Sequence, residues 1–190
     1  AATARTFRLE MGNEGPGLTP LYEALSIDLT GCCVILDAQR VHGAVWGEIL
    51  ATAAHNCGAS GVLICGSVRD KAQVIQIGIP LYAMHEIVVG PAGRAHVQEV
   101  GGPITMGASI SGTISDPVSD TIVNNGDLIV CDESGCVAIP PAISNQILDA
   151  ARRYAEAELE TVRSLLRREP LTVAYLHKKK IVQSIIAELG

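Results

Sequence analysis

A chain of 190 residues, 48% of them hydrophobic, is long enough for one sizeable core and too short for two comfortable domains. Its formal net charge of −6, from 14 basic and 20 acidic residues, argues against a surface built to neutralise nucleic-acid phosphates. No apolar run approaches the ~20 residues of a membrane span, and one Trp and one Phe leave little for stacking bases or sugars. Neither a nucleic acid nor a membrane is therefore expected as a partner.

No charged-then-apolar leader is seen, so no secretory signal is expected, and because the chain opens directly in TARTFRLEM, which alternates as a strand does, a natural segment is expected upstream. GNEGPGLTP at 12–20 is a glycine- and proline-rich loop, followed by a short helix through Leu21 to Leu25. CCVILDA at 32–38 is a continuous apolar run with a polar end, the pattern of a strand buried on both faces. After QRVHGAV comes WGEILATAAHNCGA, helical in pattern, with Ile49, Leu50, Ala53 and Ala54 on one stripe and Gly58 as its stop. GVLIC at 61–65 is a second buried strand running into a Gly66–Ser67 turn; RDKAQVIQIG is a short helix and IPLYAMHE at 79–86 a third strand. This alternation favours parallel pairing with right-handed crossovers. From about residue 97 the texture changes to short strands broken by Asn-Gly and Ser-Gly turns, which predicts hairpins.

A long helix is expected from about Ile143 to Arg168, with Ile147, Ala151, Tyr154, Glu158, Val162 and Leu165 advancing along one face. It is longer than so small a domain needs to cover itself, so part of it is read as an oligomer contact. HKKK at 177–180 is read as a solvated turn. The expected organisation is a single α/β domain over 1–190, with a core at about 3–140 and a C-terminal helical segment at about 141–190.

The six cysteines, Cys32, Cys33, Cys57, Cys65, Cys131 and Cys136, form no C-x-x-C pair and have no histidines at zinc-ligand spacing. They are expected to be reduced structural thiols in a cytoplasmic protein. His42, His55 and His85 show no metal-ligand pattern, GPAG at 90–93 is most simply a turn, and Ser67 lacks a nearby histidine to make it a nucleophile. No dinucleotide fingerprint, Walker lysine or nucleophile elbow is present.

Ligands of parallel α/β sheets gather outside the carboxyl ends of the strands. If the strands at 32–38 and 61–65 are neighbours, Arg69 and Asp70 face the backbone N–H groups of Gly47, Glu48, Ile49 and Leu50 at a helix start. Those amides form a carboxylate cradle. Arg69 offers a planar fork for carboxylate or keto oxygen, while Asp70 and Glu48 suit a hard divalent cation that keeps several waters. Together they would hold a 2-oxo acid and stabilise an enolate. The competing account of Arg69–Asp70 is a surface salt bridge of little energetic weight.

AVWGEILATAAHNCGASGVLICGSVRD at 44–70 resembles the signature of the RraA-like family, which includes the class II 4-hydroxy-4-methyl-2-oxoglutarate aldolases. Twenty residues separate Glu48 from Arg69, and Asp70 follows, as in that family. GIPLYAMHEIV and NNGDLIVCDESGCVAIP extend the similarity, which runs from about residue 3 to 168. The resemblance implies a swivelling β/β/α-type fold assembled as trimers or hexamers with sites at subunit boundaries. It further implies Mg2+ (or Mn2+) held through Asp70, a keto acid bound by Arg69, and a carboxylate on the amides of Gly47 to Leu50. A glutamate from a neighbouring C-terminal helix would complete the site, with Glu156, Glu158 and Glu160 as candidates. The activities implied are aldol cleavage of 4-hydroxy-4-methyl- or 4-carboxy-4-hydroxy-2-oxo acids to pyruvate, and oxaloacetate decarboxylation. The alternative is a non-catalytic member that binds a protein partner such as an RNA-degrading enzyme; a third is an oligomeric scaffold whose Arg-Asp pair only closes a subunit contact. Departures from the family pattern are Gln73 where a further carboxylate is common, Glu48 where aspartate is common, Asn125-Gly126-Asp127 for Pro-Gly-Asp, and no family-type N-terminal helix.

Overall fold

The computed structural model describes residues 1–12, 15–106 and 121–189, and the chain divides into two compact units, Ala1–Ala138 and Ile139–Gly190. The expected loop at 12–20 and the segment after Met106 lie partly outside the described residues.

In the first unit the elements in chain order are β1 (Ala2–Met11), α1 (Thr19–Ala24), β2 (Cys32–Asp37), β3 (Ala44–Trp46), α2 (Glu48–Asn56), β4 (Gly61–Val68), α3 (Lys71–Ile77), β5 (Leu81–Glu86), β6 (Ala95–Val100), β7 (Ile104–Met106), β8 (Thr121–Val123), β9 (Leu128–Asp132) and β10 (Gly135–Ile139). One sheet runs β10-β9-β1-β2-β4-β3, with β5 also on β4 and β6 on β1. The pairs β1–β2, β2–β4, β3–β4 and β4–β5 are parallel, as the strand–helix alternation predicts.

Alternating side chains on the central strands serve two cores. Val34 and Leu36 of β2, with Val62 and Ile64 of β4, pack on the side of α1 to α3. Cys33, Ile35 and Leu63 face the other way, toward Ile104 and Val123 of the antiparallel β7–β8 ribbon. Helices, sheet and ribbon are thus three layers, and a strand covered on both faces must be apolar at every position. Burial pushes the Cys33 and Cys65 thiols up to about 12 from an ordinary value of 9.0. Unfolded thiols ionise first, so stability is expected to fall as pH rises from about 9 toward about 12. Urea titrations across that window should show a falling midpoint, with a flatter alkaline limb in Cys65→Ala.

Several expectations are corrected here. The turn expected at Gly66–Ser67 is strand, because β4 continues to Val68 by pairing β3 through Ala44–Ser67 and β5 through Ser67–His85. Trp46 closes β3 rather than opening the helix, a strand too short to show a period. The Asn125–Gly126 turn makes no hairpin: it carries the chain from the ribbon to the main sheet, and the Asn125 side chain accepts from the Thr6 N–H at 3.3 Å. The expectation of six reduced cysteines fails at Cys131 and Cys136, which face each other across the β9–β10 hairpin with Cα atoms 4.1 Å apart and form a disulfide. Cys32, Cys33, Cys57 and Cys65 are free.

The second unit is a helical hairpin. After a 3₁₀ turn at Pro141–Ile143, α4 (Ser144–Leu166) is followed by α5 (Leu171–Leu189). The break falls where Arg168 adopts a left-handed φ of 64° two residues before Pro170. HKKK is therefore helix, not a turn. Lys178 is only 7% exposed; its Nζ lies 2.5 Å from the Glu158 carboxylate and 4.4 Å from the Tyr154 ring centroid. The buried stripe of α4 is Ala157, Thr161 and Ser164, whose small side chains leave room for a neighbouring backbone, while Tyr154, Val162 and Leu165 of the expected stripe stay partly exposed. No described helix is long and apolar enough to cross a membrane.

Candidate functional site

The carboxyl end of β4 delivers Arg69 and Asp70 to the start of α2. One parallel pairing and one backbone hydrogen bond arrange this: β3 lies beside the end of β4, and the Arg69 N–H donates to the Trp46 carbonyl at 2.9 Å. The chain turns from Trp46 through Gly47 straight into α2, so the open N–H groups of its first turn stand beside the Arg-Asp pair.

Asp70 holds the N-cap position of α3, yet its side chain makes no cap hydrogen bond there. An aspartate at that position ordinarily accepts from its own helix. Here the residue adopts the left-handed conformation (φ 58°, ψ 35°), and the Glu48 N–H of α2 donates to its Oδ2 at 3.3 Å. The Arg69 Nε stands 3.5 Å from the same oxygen, with both side chains well exposed, so the pair contributes little to stability. A backbone in a sparsely populated region, holding a carboxylate away from its own helix, is the kind of local cost found at functional sites.

Gly47 makes the approach possible. Its φ of −170° is ordinary extended backbone, so the requirement is one of space. A Cβ there would lie 2.6 Å from Asp70 Oδ2 and 3.1 Å from Arg69 Cγ. On the far side, Gly43 (φ +147°) lets the loop after β5 close in, since a Cβ would stand 2.7 Å from Pro91 N. That seats Gly90 beside the Arg69 guanidinium. The GPAG turn is thus part of a cleft wall, a role its sequence does not signal.

The resulting cleft has a volume of about 690 Å³ and is bordered by Gly47, Glu48, Ile49, Leu50, Arg69 and Asp70, so all six predicted site residues meet in it. Ile49 is 78% exposed at the helix start, where a buried helix would place a core residue. The wall contributed by α1, including Tyr22, was not foreseen, because nothing in a six-residue helix announces what it faces. His42, His55 and His85 are exposed, Ser67 serves in strand pairing, and Gln73 is exposed on α3. Of the glutamates expected from the C-terminal helix, Glu158 is held by Lys178 and Glu160 by Arg163 and Arg167; Glu156 makes no ion pair among the described residues.

No group of three or more His, Cys, Asp or Glu side chains able to cage a metal ion occurs among the described residues. The donors at the cleft are carboxylate oxygens, with Asp70 Oδ1 unpartnered among the described residues and Glu48 in the adjoining helical turn. Such a set fits a small hard cation held by one or two carboxylates, its remaining positions left to water and substrate.

The family model for the RraA-like proteins, described as Aldolase/RraA, matches residues 1–138. The chain belongs to the RraA-like family. Among curated relatives, an uncharacterized protein of Methanocaldococcus jannaschii is 27% identical over 137 residues, 72% of this chain and 60% of its own length. The RraA-like chain thus spans less than two thirds of that relative. A protein of Halalkalibacterium halodurans, provisionally named a 4-hydroxy-4-methyl-2-oxoglutarate aldolase, is 22% identical over 92% of this chain and 76% of its own. Among solved structures, an uncharacterized protein from Pseudomonas syringae pv. tomato superposes with a TM-score of 0.74 at 23% identity, covering 92% of this chain and 77% of that one. RraAS2 of Streptomyces coelicolor, described as an unusual member of the RNase ES inhibitor RraA family, gives 0.71 at 20% identity, covering 87% and 77%. At these identities the structural likeness establishes the α/β fold of the RraA-like family.

Proposed function

We propose that this RraA-like protein is a divalent-metal-dependent carbon–carbon lyase that cleaves 2-oxo acids to pyruvate, as a 4-hydroxy-4-methyl-2-oxoglutarate-type aldolase, an oxaloacetate decarboxylase, or both. The observation that carries this is the Asp70 carboxylate, turned away from its own helix onto the start of α2 beside Arg69. A surface salt bridge needs neither that backbone conformation nor the space cleared at Gly47.

In this reading the N–H groups of Glu48, Ile49 and Leu50 take the substrate carboxylate, with the partial positive charge of the helix start behind them. Arg69 donates to the 2-keto oxygen. Asp70, with Glu48 close by, holds Mg2+ (or Mn2+), which when bound withdraws electrons from the keto oxygen. As the bond to C3 breaks, negative charge grows on that oxygen, and Arg69 stabilises it more than it stabilises the ground state. A homotrimer or hexamer in the cytoplasm, with Glu156 the carboxylate free to serve a neighbouring site, belongs to the same proposal.

The test is pyruvate release by purified protein from oxaloacetate and from 4-hydroxy-4-methyl-2-oxoglutarate, with magnesium and with chelator, beside Arg69→Ala. Turnover that chelator and the substitution both abolish is expected. Release no faster than that caused by free metal would move the assignment to a non-catalytic regulator that binds a protein partner.

A further inference from the structure

We infer that Cys131 and Cys136 form a reversible thiol–disulfide site that clamps the edge strand β10 to the sheet and is opened by small thiols. Neither residue borders the cleft, so the inference does not depend on the lyase reading.

The first argument is access. Cys136 is exposed, and Cys131 is half-buried at the rim of the second core. Thiol–disulfide exchange needs a thiolate to reach a sulfur, and exposed disulfides are the labile ones. The other cysteines are poorly placed for such chemistry. Cys32, Cys33 and Cys65 are buried, and burial pushes the Cys33 and Cys65 thiols up to about 12, which keeps them protonated at neutral pH. Cys57 is half-buried, with its Sγ 3.1 Å from the Leu25 carbonyl oxygen.

The second argument is what the bond holds. Among the described residues β10 pairs with β9 alone, and β9 meets β1 only at Ala2–Ile129 and Thr3–Leu128. The disulfide lies beyond those two pairs. Gly135, Cys136 and Val137 of β10 are exposed, and Ile139 is its one buried residue. A two-stranded hairpin with so little packing is marginal in water. The cross-link therefore supplies the attachment that side-chain burial does not.

The third argument is reclosure. The turn between the two cysteines is organised by its own hydrogen bonds: Asp132 Oδ1 accepts from the Ser134 N–H at 2.7 Å and from the Gly135 N–H at 3.3 Å. Gly135 takes a φ of +151°, which favours glycine. None of these contacts involves sulfur, so the turn persists when the bond opens and keeps the two thiols at a high effective concentration.

Opening starts when a small thiolate attacks Cys136 Sγ. The S–S bond breaks, and its electron pair leaves on Cys131 Sγ, which takes up a proton. A second small thiolate attacks the outer sulfur of the mixed disulfide and releases Cys136 as a thiolate, which is protonated in turn. The protein disulfide is reduced, and two small thiols are oxidised to their own disulfide. A small disulfide drives the same steps backwards and closes the clamp.

The test exposes the whole chain, without denaturant, to reduced and to oxidised glutathione, then alkylates free thiols and maps them by peptide mass. Cys131 and Cys136 are expected to be labelled after reduced glutathione and protected after oxidised glutathione, with protection recovered on return to the oxidised form. Hydrogen exchange at the amides of β10 is expected to quicken at least about tenfold on reduction, while β2 and β4 keep their rates. Cys136→Ser is expected to show the fast β10 exchange under both conditions. A bond that resists glutathione until urea unfolds the chain is a fixed structural cross-link and overturns the inference. Thiols that stay open in oxidised glutathione, or β10 exchange unchanged by reduction, overturn it equally.

Discussion

Asp70→Asn is expected to fold as the wild type does and to lose metal-dependent pyruvate release by a factor of about 100 or more. Asparagine tolerates the left-handed conformation (φ 58°) that Asp70 adopts, and its side-chain oxygen still accepts from the Glu48 N–H. What disappears is the negative charge that would hold a cation beside the Arg69 guanidinium. Alanine at the same position would confound that loss with backbone strain, which is why asparagine is the better probe. A second readout needs no substrate. Magnesium that binds only the folded state should raise the melting temperature of the wild type and leave that of Asp70→Asn unmoved. Wild-type turnover in the variant, or an undiminished thermal response to magnesium, would sink the assignment of Asp70.

Gly47→Ala should be nearly as damaging to activity, for a different reason. The new Cβ would stand 2.6 Å from Asp70 Oδ2 and 3.3 Å from Arg69 Nε, so both side chains must move. Displacements of this size in positioning groups cost on the order of 100-fold in rate. The fold should hold, because φ at −170° is open to alanine and loss of a glycine N-cap costs about 1 kcal/mol. Paired chemical denaturation and kinetics on this one variant would separate the two effects. An active Gly47→Ala would mean that the amides of α2 and the Arg-Asp pair do not share a ligand.

Much of the site was legible because it is nearly local. Gly47, Glu48, Arg69 and Asp70 sit at the ends of the unit β3–α2–β4, and parallel pairing, for which a right-handed crossover is the rule, leaves few places for those ends to meet. What reads poorly is anything set by a distant partner. The three-residue β3 has no period of its own and is strand only because the end of β4 accepts it. HKKK looks like a solvated turn until α4 supplies Glu158 and Tyr154 to surround Lys178. The larger apolar stripe of α4 lost its place to Ala157, Thr161 and Ser164 because close packing there favours small side chains over hydrophobic ones.

The sequence by itself determined that the chain is α/β and parallel at its centre, and that Gly47, Glu48, Ile49, Leu50, Arg69 and Asp70 come to border one cleft. Apolar runs of strand length, and charges just past their ends, are local signals that burial and solvation impose on any chain. Only the tertiary structure decided which way the Asp70 carboxylate turns, that Gly43 lets the loop carrying Gly90 close on the cleft, and that Tyr22 of α1 and the flanking Leu18 and Leu25 border it. Those outcomes depend on side-chain direction and on contacts between residues far apart in the chain, which close packing selects and local composition does not encode.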